Sequence, residues 1–447
     1  MPKHLAWFCL ALLLLAAPAA QAEELTLEKA IELALQQNPA LKQTDYQATA
    51  SNWGFAKSFS AWLPTATYDE NWTHTDPDTY TKAKNAAQLE NKLSPGAAAP
   101  VYRDNFAKSI NVVQPIFNGI GEWVTIDTAY LNRRSAHLTD EDMRLQTIEN
   151  VKVAYYSVLT TRALAGVALE ALTMARESLR LYRGRLAVGQ STQSDVLRYE
   201  AQEAAADGAR IAADNNYALA KMQLATLIGG AVEADLTLPA IQLVVTDADE
   251  TRVREATLAG VKTPLPIKSH PAVKAMETTN DIAKQQTVGS VGKLLPRINF
   301  LYNYDWTTND QLQPNGKTSW VMGIGVQIPF FQGGGAVSGI GQSVELQQAT
   351  WEGVDSFERS FLQRAHAAQM NLNSADQQVV AGRRGEVAAQ ANLDIITKRV
   401  ELGMNTILDL LDAQLAYIQA KSDLIGAVGS FRNAMAEWDY VTAKAKD

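Results

Sequence analysis

Apolar positions along the chain follow two periods, and the points where one gives way to the other mark out its elements. From Ile298 the period is two: Ile298, Phe300, Tyr302, Tyr304 and Trp306 alternate with Arg297, Asn299, Leu301, Asn303, Asp305 and Thr307. Past Pro314-Asn315-Gly316, which reads as a turn, Trp320, Met322, Ile324, Val326 and Ile328 alternate with Val321, Gly323, Gly325 and Gln327. The pattern predicts a β-hairpin over about 296–329, with two strands of about 11 residues and one apolar, aromatic face. Strands of ~9–11 residues tilted ~45° are long enough to cross an outer membrane, although a half-buried sheet in water alternates in the same way. A weaker copy lies upstream. There Ala66, Tyr68 and Trp72 share a face that Glu70 interrupts, and Phe106, Ile110 and Val112 share one with Lys108. A hairpin over about 63–116 is expected mainly because the downstream copy is so clear.

Elsewhere the period is helical. Gly119 to Gly189 and Gly333 to Gly403 are both intervals of 70 residues without an internal proline. Ile148, Val151, Tyr155 and Val158 step by 3, 4 and 3, and Leu172, Ala175, Leu179, Tyr182 and Leu186 by 3, 4, 3 and 4. That is coiled-coil spacing, and it predicts long helices over 119–188 and 333–402. At ~1.5 Å per residue each is a rod of about 105 Å, which must pack sideways against other helices. The chain turns back at Gly189 and Gly403. Thr192-x-x-Asp195 and Thr406-x-x-Asp409 read as capping boxes that start return helices over 192–227 and 406–438. Further helices over 26–62 and about 270–294 precede Leu63-Pro64 and Leu295-Pro296.

These landmarks repeat. Arg185, Gly189, Thr192, Asp195 and Leu197 recur as Arg399, Gly403, Thr406, Asp409 and Leu411 at an offset of 214, as does Pro115-Ile116-Phe117-Asn118-Gly119 in Pro329-Phe330-Phe331-Gln332-Gly333. Asn38-Pro39-Ala40 and Leu63-Pro64 recur at 232, in His270-Pro271-Ala272 and Leu295-Pro296. The first copy therefore carries 18 additional residues, placed within 76–105, where Pro77, Pro95 and Pro100 suggest an exposed loop. The expected organisation is a first repeat over 23–228, a linker or equatorial segment over 229–269, a second repeat over 270–440 and a tail over 441–447. Repeats of this kind set the fold before any local detail does.

Composition sharpens the picture. The first 22 residues, with Lys3 and His4, the apolar run Leu5 to Ala17 and Ala20-Gln21-Ala22, read as a secretory signal peptide. Beyond them no unbroken run of 18 apolar residues occurs, which argues against an ordinary membrane-spanning helix. The lone Cys9 lies inside the signal, so the rest needs no disulfide. A net charge of −8 without clustered Lys and Arg argues against a nucleic-acid partner.

Four strands cannot close a barrel, and an open sheet edge in lipid leaves backbone groups unsatisfied. Membrane hairpins would therefore require oligomerisation. At this point the chain resembles the TolC family of outer-membrane efflux proteins. The resemblance is most specific at Leu25-Thr26-Leu27-Glu28-Lys29-Ala30 with Asn38-Pro39, at Pro115-Ile116-Phe117-Asn118-Gly119, and at Leu402-Gly403-x-x-Thr406-x-x-Asp409-x-Leu411-Asp412-Ala413. It implies a mainly α protein with membrane β structure: long coiled-coil helices forming an α-barrel tunnel, four strands per chain in a 12-stranded barrel of a homotrimer, and internal duplication. It further implies a periplasmic adaptor (membrane fusion) protein and an inner-membrane pump or ABC transporter as partners. The location implied is the outer membrane, in contact with its lipid and extending into the periplasm, and the cargo is small toxic molecules or, as in type I secretion, proteins.

The resemblance also implies site residues. Asp409, Asp412 and Asp195 match the pore constriction at the periplasmic tip; a first-turn acid is equally a helix cap or a partner of the helix dipole. Ser194 accompanies Asp195. Where the family's best-known closed form holds this tip with a Tyr and an Arg, Val400 and Asn405 stand here. Val188, Gly189, Leu402 and Gly403 match the tip that docks the adaptor. Tyr68, Trp72, Tyr304, Trp306 and Trp320 fit membrane-interface aromatics.

No enzyme signature is present. Gly316-Lys317-Thr318 lacks the earlier glycine of a phosphate loop, since residue 311 is Gln311, and Gly333-Gly334-Gly335 has no βαβ context. His74, His137, His270 and His366 show no metal-ligand spacing, so neither cofactor nor metal is expected. The alternative from another class is an exported coiled-coil rod or adhesin without a conduit.

Overall fold

The computed structural model describes residues 25–98, 101–230, 253, 267–309 and 317–443. The signal peptide, the turn at Pro314-Asn315-Gly316 and most of the linker lie outside the described residues. In chain order the elements are α1 (Leu27–Gln37), α2 (Pro39–Ser58), a 3-10 turn (Phe59–Trp62), β1 (Thr65–His74), α3 (Pro77–Leu93), β2 (Asp104–Asn118), α4 (Gly121–Ala187) and α5 (Gln193–Leu227). They are followed by a 3-10 turn (Ile267–Ser269), α6 (Pro271–Gly292), β3 (Arg297–Asn309), β4 (Lys317–Gln327), α7 (Gly335–Glu401) and α8 (Ile407–Val441). The protein is thus mainly helical, with one four-stranded antiparallel sheet in the order β1-β2-β3-β4. The internal duplication is plain in it: α4 and α7 are both 67 residues long, and α5 and α8 both 35.

Two differences from the sequence-based expectation have local causes. The first helix is broken at Asn38, because Pro39 has no N–H to donate and disfavours helical geometry in the residue before it. Asn38 Oδ1 accepts from the N–H groups of Ala40 and Leu41, and its Nδ2 donates to the Leu227 carbonyl at 2.8 Å. His270 repeats part of this device before Pro271, its Nδ1 accepting from the Ala272 N–H at 3.3 Å. The insertion expected as an exposed loop is exposed, but it carries α3. Asp76 caps that helix by accepting from Asp78 and Thr79 N–H groups, and Pro77 sits in its first turn. A proline there starts a helix instead of breaking one.

The chain divides into two compact units. One comprises Gln47–His137 and Ala275–Ser356, and the other Met1–Tyr46, Leu138–Lys274 and Phe357–Asp447. In the first, Gly119 and Gly292 pass so closely that a Cβ on either would run into the other's carbonyl, and Gly119 has a φ of +61°. Glycine is needed at both. In the second, Val151, Tyr155, Val158 and Leu159 of α4 pack with Ala30, Ala34 and Leu224, while Phe361, Leu372, Val428, Phe431 and Trp438 form a core between α7 and α8. One 18-residue stretch of α4 is apolar enough to cross a membrane by length and composition. Only 28 % of that stretch is buried, and along α4 Val151, Tyr155 and Val158 pack against α1 and α5.

Candidate functional site

The residues singled out from the sequence fall into two groups, one in each unit. The first is the sheet. Directly opposed residues of an antiparallel pair share a face, so the registers assign every side chain. Tyr68, Ile110, Tyr304 and Trp320 form one row across all four strands, and Glu70, Lys108, Trp306 and Thr318 form the next. Trp72 opposes Phe106 in the row after that, with ring centroids 6.2 Å apart. All five predicted aromatics therefore share one face within three neighbouring rows. Tyr68, Trp72 and Trp320 are exposed, and Tyr304 and Trp306 are half-buried.

The same registers explain the two positions that spoiled the first hairpin's pattern. Glu70 and Lys108 are direct partners, with Nζ 3.0 Å from Oε1, and the Tyr68 hydroxyl donates to Glu70 at 2.9 Å. An interrupted alternation is thus an internal ion pair. Below these rows Tyr302 and Phe300 oppose Met322 and Ile324, and Met322, Ile324 and Val326 are all exposed. The strand ends carry further exposed aromatics that the alternation alone did not single out. Phe330 is 95 % exposed, Phe331 follows it, and Trp62 meets Trp123 edge-on at 4.6 Å. Their signal lay in position, since each is within a few residues of a strand end or of Gly119.

The second group surrounds the two helical tips. Gly189 and Gly403 have the same φ of +72°, the left-handed value that closes a helix at low cost only for glycine. At the first tip Asp195 Oδ2 accepts from the Thr192 N–H at 3.0 Å, the Thr192 hydroxyl at 2.7 Å and the Ser191 hydroxyl at 3.1 Å. At the second, Asp409 Oδ2 accepts from the Thr406 N–H at 2.8 Å, the Thr406 hydroxyl at 2.9 Å and Asn405 Nδ2 at 3.2 Å. Hydrogen bonds from Thr192 hold Asp195 below the usual carboxylate range, and those from the Thr406 backbone and hydroxyl do the same for Asp409. Both carboxylates are therefore engaged in capping their own helices. Asp412, three residues past Asp409, is exposed.

Val188, Gly189, Leu402 and Gly403 are exposed at the turns, with Val188 at 68 % and Leu402 at 74 %. Ser194 is exposed beside them. Val400 is buried with Leu393, Leu410, Ala413 and Tyr417, while Asn405 is spent on Asp409. The two coils are joined instead by bonds that motif matching did not suggest. Lys421 Nζ donates to Glu170 Oε2 at 2.6 Å, Tyr417 Oη to Glu170 Oε1 at 3.3 Å, and Gln414 Nε2 to Ser178 Oγ at 3.3 Å. Among the described residues no group of three or more His, Cys, Asp or Glu side chains is arranged to hold a metal ion.

Comparison with known proteins agrees with this fold. A family model described as outer membrane efflux protein matches residues 30–230 and 266–437, spanning both copies. The outer membrane efflux protein BepC of Brucella suis biovar 1 (strain 1330) is 28 % identical over 346 residues, covering 74 % of this chain and 72 % of that protein. Outer membrane protein TolC of Vibrio cholerae serotype O1 is 22 % identical over 338 residues, 74 % of each. Among solved structures, the outer membrane protein VceC from Vibrio cholerae superposes with a TM-score of 0.76 at 16 % identity, covering 93 % of this chain and 95 % of that one. The family matched across both copies is one of outer membrane efflux proteins, which favours efflux over the rod reading.

Proposed function

The chain belongs to the outer membrane efflux protein family and is an outer-membrane protein, and from that premise we propose that three copies form the exit duct of a tripartite export system. The observation that carries this reading is the sheet. It has two edge strands, β1 and β4, and a face of exposed aromatic and aliphatic side chains. In lipid each unpaired edge group is costly, and pairing β4 of one copy with β1 of the next satisfies both edges. Three copies close a barrel of 12 strands, wide enough for a conduit, whereas the 8 strands of two copies would be filled by side chains.

In this reading the exposed Val188 and Leu402, with Gly189 and Gly403, dock a periplasmic adaptor that links the duct to an inner-membrane pump. Asp412 faces the entrance, where three copies form a carboxylate ring that favours cations. Asp195 and Asp409 line the same tip but are held by their caps. The cargo is small toxic molecules or secreted proteins, selected by the pump.

The purified protein in a planar lipid bilayer should give stepwise conductance; a flat baseline would refute the conduit. Asp412→Ala should raise the step size or weaken block by divalent cations, and a change in neither removes Asp412 from the entrance. Leu402→Glu should abolish cross-linking to the adaptor while leaving conductance in place. A deletion strain scored for both antibiotic sensitivity and loss of secreted proteins decides the cargo.

A further inference from the structure

Where α4, α7 and α8 meet, the helices leave a cleft of about 420 Å3, within the range of roughly 300–1,000 Å3 typical of small-ligand sites. Its lining is unusual for a three-helix seam. Only Val153, Ala375 and Ala434 are apolar, and the rest is polar. Glu149 and Glu437 stand at one end, where Arg364 lies between them, 3.1 Å from Glu149 and 3.4 Å from Glu437. Asn371, Ser374, Gln378 and Ser430 extend the polar wall. From Asn371 to Gln378 is two helical turns, about 10.5 Å.

The chemistry of this lining is selective. One guanidinium, itself stacked 4.5 Å from the Tyr440 ring centre, faces two carboxylates and leaves one negative charge uncompensated. Burial pushes the Glu149 carboxyl above its ordinary range, and nearby Glu437 adds to this against the pull of Arg364. Asn433 also lines the cleft, and its Oδ1 is shielded from solvent with no hydrogen-bond partner in the structure. A buried acceptor of this kind calls for a donor. The wall therefore offers negative charge at one end and amide and hydroxyl acceptors along about two helical turns.

We propose that this cleft is a binding site for a linear aliphatic polyamine, with one ammonium at Glu149 and Glu437 and the remaining amines along Asn371, Ser374 and Ser430. A compact metal ion does not use the length of the wall, and an anion meets the wrong charge. Asp412 is on α8 as well, but 18 residues before Ser430, about 27 Å along the helix axis, so the site stands or falls independently of the conduit reading.

The test is calorimetric titration of the purified full-length protein with spermidine at low ionic strength. Wild-type protein should bind one spermidine per chain at this cleft, and Asp412→Ala, which removes the entrance ring that also attracts cations, should leave that one-per-chain binding at unchanged affinity. Glu437→Gln should weaken binding about tenfold or more, because Arg364 then neutralises the remaining carboxylate. Arg364→Gln should tighten it, a change of sign that a purely structural role for these residues does not produce. Should Glu437→Gln or Arg364→Gln fail to fold, Ser430→Leu, which fills the wall without touching the ion pair, should abolish binding on its own. Absence of spermidine binding to the wild type, full affinity in Ser430→Leu, or loss of all binding in Asp412→Ala overturns the assignment.

Discussion

The two helical tips share one backbone and differ in what surrounds it. Each closes with a glycine at a φ of +72° and reopens with a threonine and aspartate capping box. Around the first, Tyr182 and Tyr199 stack at 4.6 Å and are sealed by Leu179, Val196 and Leu186. Around the second, Val400, Leu393 and Leu410 form an aliphatic core with Ala413 and Tyr417. Each core also borrows from the other coil. Ile407 and Leu411 pack on the tyrosine pair, and Met174 packs on the aliphatic cluster. The turn is thus a local property of the stretch from glycine to aspartate, whereas how firmly the tip is held depends on side chains from both coils.

The largest test of that difference removes a tyrosine. Tyr199→Ala should destabilise the first tip by about 3 kcal/mol, in the range for a buried aromatic, and Val400→Ala the second by less, because fewer buried atoms are lost. Hydrogen exchange of the backbone around Gly189 and Gly403 reads the two separately, and equal effects would mean that the cores do not differ in strength. Next in size is the clasp between the coils. Lys421→Met removes the donor to Glu170 and should increase the open fraction in single-channel records by several-fold, about 1 kcal/mol for a partly exposed charged pair. An unchanged open fraction would place the restraint elsewhere.

The capping boxes give smaller and nearly equal effects. Thr192→Ala and Thr406→Ala should each cost about 1 kcal/mol of local stability. The two should cost alike, because Ser191 still donates to Asp195 and Asn405 still donates to Asp409. Smallest is the response to acid. The native state holds Asp195 and Asp409 below their ordinary range, so the stability they contribute is present above about pH 4 and is lost as the pH falls through their lowered values. Both tips should loosen together on acidification, and exchange at one tip alone would show that the caps are not equivalent.

Much of the fold is legible in the amino-acid sequence. The 70-residue spacing, the repeated Gly-x-x-Thr-x-x-Asp and the alternation from Ile298 to Ile328 each reflect a geometric period or a cap that acts within a few residues. The alternation allowed a membrane and the four strands required oligomerisation, whereas the number three and the partners came only from the resemblance. Asp76-Pro77 shows how a local signal can be misread, because proline breaks a helix from inside and starts one from its first turn.

What short-range physics controls can be read along the chain: where helices begin and end, which strand positions share a face, and that the plan is used twice. Which distant residues meet was settled only by packing. Glu70 spoiled a pattern until the register set it against Lys108, and Val400, matched to a latch, lies in a core. Glu170 reaches Lys421 across 251 residues, and Glu149 reaches Arg364 across 215. Periodicity fixes the direction of a side chain on its own element, but the partner it finds depends on how elements pack, and that is set by the summed burial of many side chains.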